Sequence, residues 1–225
     1  MSPVDFEPIQ TRFVTDATAV PAPRFSIADA AERLTGCVFL TLAAPAIALS
    51  AVAVRVLSGQ SPFIAHLRVG QHGKPFWTLK LRTMWDQMDE TPAPGWVERI
   101  VAEPEEDGKD RSDPRVSSRF AAFCRKHSID ELPQLWHVAS GQMSLVGPRP
   151  LTQGEVTRYY GARASELLSI KPGITGLWQV YGRSAIRFPQ RSAMDLEMVR
   201  SLDARLYLKI LLRTIPAIVA GNGAW

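Results

Sequence analysis

Little in this chain of 225 residues can build a scaffold through covalent or metal chemistry. Cysteine occurs twice, too seldom for a disulfide framework. Cys37, in an apolar run, and Cys124, in an expected helix, read as reduced, inert packing residues. Histidine occurs four times, as His66, His72, His127 and His137. None has metal-ligand spacing, so no zinc site is expected. Zinc-finger spacing, an RNP-like aromatic string and a helix-turn-helix pairing are all missing, which counts against a nucleic-acid partner. There is no internal repeat and no low-complexity tract. What is present is an ordinary folded composition, 46% hydrophobic and 21% charged, long enough for one catalytic-size domain with appendages.

Charge is missing where it matters most. Leu34 to Val54, LTGCVFLTLAAPAIALSAVAV, holds 21 residues and no charged one, which reaches the roughly 20 residues a membrane-spanning helix needs. About thirty residues precede the run, and it is too long for the apolar core of a signal peptide. Pro45 sits in its middle, where it removes a helical hydrogen bond and calls for a kink or break. Each half then covers only about half of a roughly 30 Å hydrocarbon core. A span and a helix–break–helix that enters and leaves one leaflet therefore fit the residues equally. Acids are absent from residues 55–82, which carry five bases (Arg55, Arg68, Lys74, Lys80, Arg82). That flank is expected on the cytoplasmic side. The acids gather instead in residues 86–113, ten against three bases, whereas Lys171 to Arg213 has eight bases against three acids. Such a bipolar chain suits an anionic partner on its basic side.

The pattern divides the chain into a flexible tail at 1–24, a membrane helix at 26–57 and a catalytic domain at 58–225 with an acidic insert at 86–113. Ser26 or Asp29 is placed to cap the membrane helix. FIAHLRVGQHGKPFWTLKLRTM, residues 63–84, reads as a β-hairpin around a Gly-rich turn. A helical turn is expected near Trp96 to Val101. Further helices are expected at Ser118 to Lys126, after Ser128 and at Leu151 to Leu168. ITGLWQV reads as a strand, and one long final helix runs from Ala193 to Val219. On that helix Arg205, Lys209 and Arg213 recur every four residues beside leucines. The face suits an anionic membrane surface, and equally a solvated face over a packed one. The fold class is α/β, mainly helical with a small hairpin or sheet.

SIDELPQLW, residues 128–136, sets the adjacent carboxylates Asp130 and Glu131 beside Pro133. Ser128 and Glu131 have capping-box spacing, but that box puts Pro133 where its missing N–H is needed. Asp130 as N-cap places Pro133 in the first turn instead. Either way both carboxylates crowd a helix start, a setting that stabilises their charge and attracts phosphate. An ionised aspartate there is equipped to attack phosphorus, with its neighbour holding a divalent cation. Spacing alone favours a plain cap, because caps far outnumber active sites. GPRP, residues 147–150, pins Arg149 between two prolines, a pre-organised guanidinium for phosphate. Arg125 and the Gly182-Arg183-Ser184 turn repeat the theme.

DPRVSSRFAAFCRKHSIDELPQLWHVASGQMSLVGPRP followed by KPGITGLWQVYGRS resembles the bacterial sugar transferases that start exopolysaccharide and surface-glycan assembly, the monotopic phosphoglycosyl transferases. The likeness runs from about residue 28 to the C-terminus and includes the proline-interrupted membrane helix and KLRTM. In length the chain looks like the short members without extra transmembrane helices. The resemblance implies a two-step reaction. Asp130 attacks the β-side phosphate of a UDP-sugar, UMP leaves, and undecaprenyl phosphate takes the phosphosugar from the enzyme. It also implies that Glu131, with Asp130, binds Mg²⁺ and that Lys80, Arg125, Arg149 and Arg183 hold phosphate. The membrane helix becomes a re-entrant hairpin in the bacterial inner membrane, with interfacial amphipathic helices and the catalytic domain on the cytoplasmic face.

Four positions depart from the family pattern. Tyr207 stands where an aspartate usually precedes LKILL, and Asp203, one turn earlier, is a candidate substitute for it. His137 replaces an asparagine, Gln142 an acid, and Leu81 an aromatic. A degenerate member serving as a membrane scaffold for glycan assembly is the rival this motivates. Adjacent carboxylates fit a glycosidase poorly, since that chemistry needs them roughly 5–9.5 Å apart across a cleft. The apolar segment and Leu-rich last helix would allow a homodimer.

Overall fold

The computed structural model describes residues 26–84, 95–101, 116, 118–182 and 185–221. The tail at 1–24, most of the acidic insert and Arg183 lie outside these residues.

The apolar run forms one long helix, α1 (Ile27–Ser58). Ser26 starts it by accepting the Asp29 N–H on its hydroxyl at 3.0 Å, and Gly59 ends it in the left-handed conformation with φ 70°. The chain stays helical through Pro45, which has no N–H to offer the Thr41 carbonyl. A stripe of Glu32, Gly36, Leu40, Ala43, Ile47, Ala51 and Val54 is at least partly buried, at the three-to-four spacing of one helical face. Close approach fixes its register: a Cβ at Gly36 would stand 2.9 Å from the Ala139 nitrogen. The opposite face leaves Leu34, Leu42, Leu49 and Val56 exposed. Only 17% of the helix's most apolar stretch is buried, although α1 is long and apolar enough to cross a membrane. A core helix would be mostly covered, so α1 leaves an unusually large apolar surface exposed. Cys37 falls on the exposed side, which corrects the expectation that it packs internally.

The expected hairpin is present. β1 (Phe63–Val69) and β2 (Pro75–Leu81) pair antiparallel from Phe63↔Leu81 to Val69↔Pro75. His72 and Gly73 turn it with positive φ. Where a helical turn was expected, Val97–Ile100 instead form β3, parallel to β1, giving the order β2-β1-β3. Four residues are too few for an independent helix, and the open β1 edge supplies hydrogen-bond partners.

Ser118 caps α2 (Arg119–Lys126) through the Phe120 N–H. A 3₁₀ segment, Ile129–Gln134, leads into α3 (Leu135–Ala139). β4 (Ser144–Val146) pairs in parallel with β5 (Gly173–Thr175). Glycine is required at this crossing, since a Cβ on Gly173 would lie 2.0 Å from the Gly147 nitrogen. The expected strand through ITGLWQV stops at Thr175, and Leu177–Tyr181 form α6. The expected helix at 151–168 is instead α4 (Gln153–Tyr160), a 3₁₀ turn and α5 (Ala164–Leu167). Gly161 breaks it at φ 48°. The long last helix divides likewise into α7 (Phe188–Ser201) and α8 (Ala204–Ala220). Asp203 makes the division by capping α8, accepting the Leu206 N–H at 2.7 Å.

Three buried clusters hold these pieces. Val69, Val156, Tyr160 and Leu196 join the hairpin to α4 and α7. Phe76, Leu135, Val138 and Met143 sit beneath α1. Val146, Met198 and Ile210 tie β4 to α7 and α8.

Candidate active site

The site begins where α2 turns back on itself. Ser128 has φ 55°, a left-handed conformation that is uncommon for a residue with a side chain. Its hydroxyl caps nothing, so the capping-box reading fails, and Asp130 is not the N-cap either. The chain reverses through backbone bonds, Ser128 N–H to Arg125 O and Glu131 N–H to Ser128 O, both at 3.2 Å. Pro133 is accommodated because the segment is 3₁₀ rather than α. Asp130 and Glu131 therefore lie in the first turn of a short, imperfect helix. Its dipole is a weak source of positive field.

Side-chain cations supply that field. Lys80 Nζ, from β2, stands 3.1 Å from Glu131 Oε1. Arg149 Nη1, from the extended segment after β4, stands 3.8 Å from the same oxygen. Three segments remote in sequence thus meet at one carboxylate that keeps about a fifth of its surface exposed. Asp130 faces Cys124, whose thiol is pushed up to about 11, first by burial and then by the Asp130 charge. The thiol stays protonated, so the nearby cysteine is no competing nucleophile. Arg125 occupies the last turn of α2, half-buried, with no ion pair among the described residues. Arg183 lies outside them.

Three of the departures from the family pattern are engaged in contacts. His137 Nε2 accepts the Leu79 N–H at 3.0 Å, and its Nδ1 meets Gln142 Oε1 at 2.9 Å. The first contact makes Nε2 the acceptor, so Nδ1 carries the proton. The unusual residues 137 and 142 form one pair, and that pair anchors β2 immediately beside Lys80. Burial holds the imidazole below its ordinary range against the opposing Gln142 contact. Tyr207 donates to Glu32 Oε1 at 2.6 Å, which also accepts the Ser144 hydroxyl at 2.5 Å and the Leu145 N–H at 3.0 Å. Burial first, then Glu32, keeps the phenol protonated. The fourth departure, Leu81, is a buried core residue. Asp203 is occupied as the α8 cap.

Sequence reading missed a second acidic station. Asp195 is 1% exposed and accepts the Tyr160 hydroxyl at 2.8 Å. Burial pushes its carboxyl up to about 7, against the pull of Tyr160, Trp178, Arg191 and Arg149. The available signal was an acid flanked by Met194 and Leu196 on an amphipathic helix, four residues after Arg191.

No cluster of three or more His, Cys, Asp or Glu side chains able to hold a metal occurs among the described residues. Asp130 and Glu131 nevertheless suit Mg²⁺, which commonly takes one or two carboxylates and completes its shell with water and substrate phosphate.

A partly exposed carboxylate held by Lys80 and Arg149, with a second acid next to it in sequence, is an arrangement suited to chemistry on a charged group. The chain matches the bacterial sugar transferase family over residues 24–221 and belongs to it. It is 35% identical over 218 residues to the exopolysaccharide production protein ExoY of Rhizobium meliloti, covering 95% of both chains. It is 35% identical over 240 residues to the UDP-glucose:undecaprenyl-phosphate glucose-1-phosphate transferase of Caulobacter vibrioides, covering 99% of this chain and 82% of that one. It is 39% identical over 171 residues to the undecaprenyl-phosphate galactose phosphotransferase of Salmonella typhimurium, covering 74% of this chain but only 35% of that longer protein. The protein is a sugar transferase.

Proposed function

We propose that this protein transfers a sugar 1-phosphate from a UDP-sugar to undecaprenyl phosphate, initiating exopolysaccharide or surface-glycan synthesis. The observation that carries the reading is the convergence of Lys80 and Arg149 on Glu131, next to Asp130. The names of the relatives supply the substrate class.

Asp130 is the nucleophile. Its carboxylate oxygen forms a bond to the β-phosphorus while the bond from that phosphorus to the bridging oxygen breaks. UMP leaves with the bridging oxygen and its electron pair, and the sugar phosphate remains on Asp130 as an acyl phosphate. An oxygen of undecaprenyl phosphate then attacks the same phosphorus and returns Asp130 as a carboxylate. Lys80 and Arg149 stabilise the charge spread over the phosphate oxygens, the main task in such a reaction. Mg²⁺ would be held by Glu131 and Asp130 together with the diphosphate, where it supplies further neutralisation of that charge. α1 enters and leaves one leaflet of the inner membrane, so both substrates meet the domain on its cytoplasmic face. The tyrosine at 207, which suggested a scaffold without activity, donates to Glu32 on α1.

The test is intact-mass measurement of detergent-purified protein incubated with Mg²⁺ and a panel of UDP-sugars, with Asp130→Asn alongside. A phosphosugar adduct on the wild type and none on the variant is the expected result. Folded wild type that forms no adduct and releases no UMP with any donor would refute it.

A further inference from the structure

The first turns of α1 grip both strands of the β4–β5 pair. Glu32 Oε1 accepts the Ser144 hydroxyl at 2.5 Å, the Leu145 N–H at 3.0 Å and the Tyr207 hydroxyl at 2.6 Å. Ser144 and Leu145 belong to β4 and are buried. One turn before Glu32, Asp29 Oδ1 accepts from Lys171 Nζ at 2.7 Å, just ahead of β5. The Lys171 carbonyl lies directly against Gly147, 2.5 Å from where a Cβ there would stand. Past β4 the two chains stay bonded, Gly147 N–H to Thr175 O at 2.9 Å and Gly173 N–H to Pro148 O at 2.8 Å. The next residue is Arg149, whose Nη1 stands 3.8 Å from Glu131 Oε1.

The bland alternative is a joint that only fastens α1 to the domain. Apolar packing already does that one turn further on, where Gly36 lies against Val138 and the Ala139 backbone. Such packing has no direction, whereas hydrogen bonds fix both distance and angle. Two acids one turn apart, each engaging a different strand, set the position of both strands along α1. The far end of that pair carries Pro148, whose ring limits the backbone, and then Arg149. A shift of β4 is therefore passed on to the guanidinium rather than absorbed before it.

We propose that Glu32 is a positioning residue for the reaction: acting through β4, it sets where Arg149 stands opposite Glu131. This rests on the transfer reaction proposed above. Glu32 itself touches neither substrate, and its effect on turnover passes through Arg149.

The experiment uses the full chain in lipid nanodiscs, comparing wild type with Glu32→Ala, Glu32→Gln, Arg149→Ala and each Glu32 variant combined with Arg149→Ala. UMP release gives kcat and KM for the UDP-sugar, calorimetry gives UDP affinity with Mg²⁺, and thermal melts report folding. Glu32→Ala should lower kcat by about 100-fold, the effect of misplacing a reacting group by about 1 Å. Glu32→Gln keeps an oxygen acceptor without the charge and should lose about 10-fold. Each double variant should be no slower than Arg149→Ala, since the guanidinium that the joint positions is already gone. A merely structural joint would instead lower the melting temperature and leave kcat of the folded protein alone. Losses that multiply in the double variants overturn the proposal, and so does a folded Glu32→Gln with wild-type kcat, whether or not Glu32→Ala folds. If wild type binds UDP but turns over no UDP-sugar, the transfer reaction fails separately and the same cycle is read as UDP affinity. Weaker UDP binding by the Glu32 variants that disappears in the Arg149→Ala background sustains the joint, and unchanged affinity overturns it. Wild type that neither binds UDP nor releases UMP overturns both.

Discussion

Glu131 and Asp195 are both carboxylates within the field of Arg149, and the fold treats them oppositely. Glu131 keeps a fifth of its surface exposed and draws Lys80 and Arg149 to a single oxygen. Asp195 is buried on α7, bonded to a phenol, with its carboxyl pushed up to about 7 by loss of water. The first station presents its carboxylate at the surface, between two basic side chains. The second is a structural acid whose ionisation burial opposes. One residue class performs two tasks, set by solvent and neighbours rather than by chemistry.

The contrast can be broken at either end. Glu131→Gln should have the largest effect, lowering UMP release by about 100-fold as Lys80 and Arg149 lose the charge that positions them. Its melting temperature should stay near that of wild type. Asp195→Asn should act on stability and on its pH dependence. The native pKa lies above the unfolded value, so the native state holds the extra proton between about 4 and about 7. Stability from this group is complete below that window and is lost as pH rises through it. The asparagine variant should be more stable than wild type at pH 8, by about 4 kcal/mol, and equal it near pH 4; thermal melts across pH decide this. His137→Leu leaves the Leu79 N–H beside Lys80 without its acceptor and should cost about 2 kcal/mol, read by denaturant unfolding. In wild type this depressed imidazole works with the opposite sign. The unfolded state takes up the proton first, so stability falls as pH drops from the ordinary histidine range through the native pKa. Asp203→Ala should have the smallest effect, about 1 kcal/mol for a lost helix cap. Unchanged turnover would dismiss Asp203 as a substitute for the aspartate missing at 207.

The features legible in the sequence were local or strongly patterned. Charge depletion marked the apolar helix, and Gly70 to Lys74 between β-prone runs marked the hairpin. The helix divisions were not legible, because they depend on tertiary commitments. Asp203 caps α8 only because the chain bends there, and Gly161 needs a positive φ that composition does not announce. β3 was missed because β2 separates it in sequence from its partner, β1. At the site, SIDELPQ and GPRP pointed to the acids and to Arg149. Their meeting with Lys80 depends on pairing between β2 and the 3₁₀ turn, which no spacing encodes. Tyr207 looked like a defect in isolation. Its meaning depends on Glu32, an acid of α1 175 positions earlier.

That last separation also sets an order of events during synthesis. Glu32 leaves the ribosome 175 residues before Tyr207, and the helix that carries it can form while the partner is still unmade. Until then Glu32 can hold Ser144 and Leu145, but the junction that seats α8 against the rest cannot close. α1 is therefore made well before the helix that completes its contact. Closure of this contact therefore makes α8 a late piece to lock onto α1.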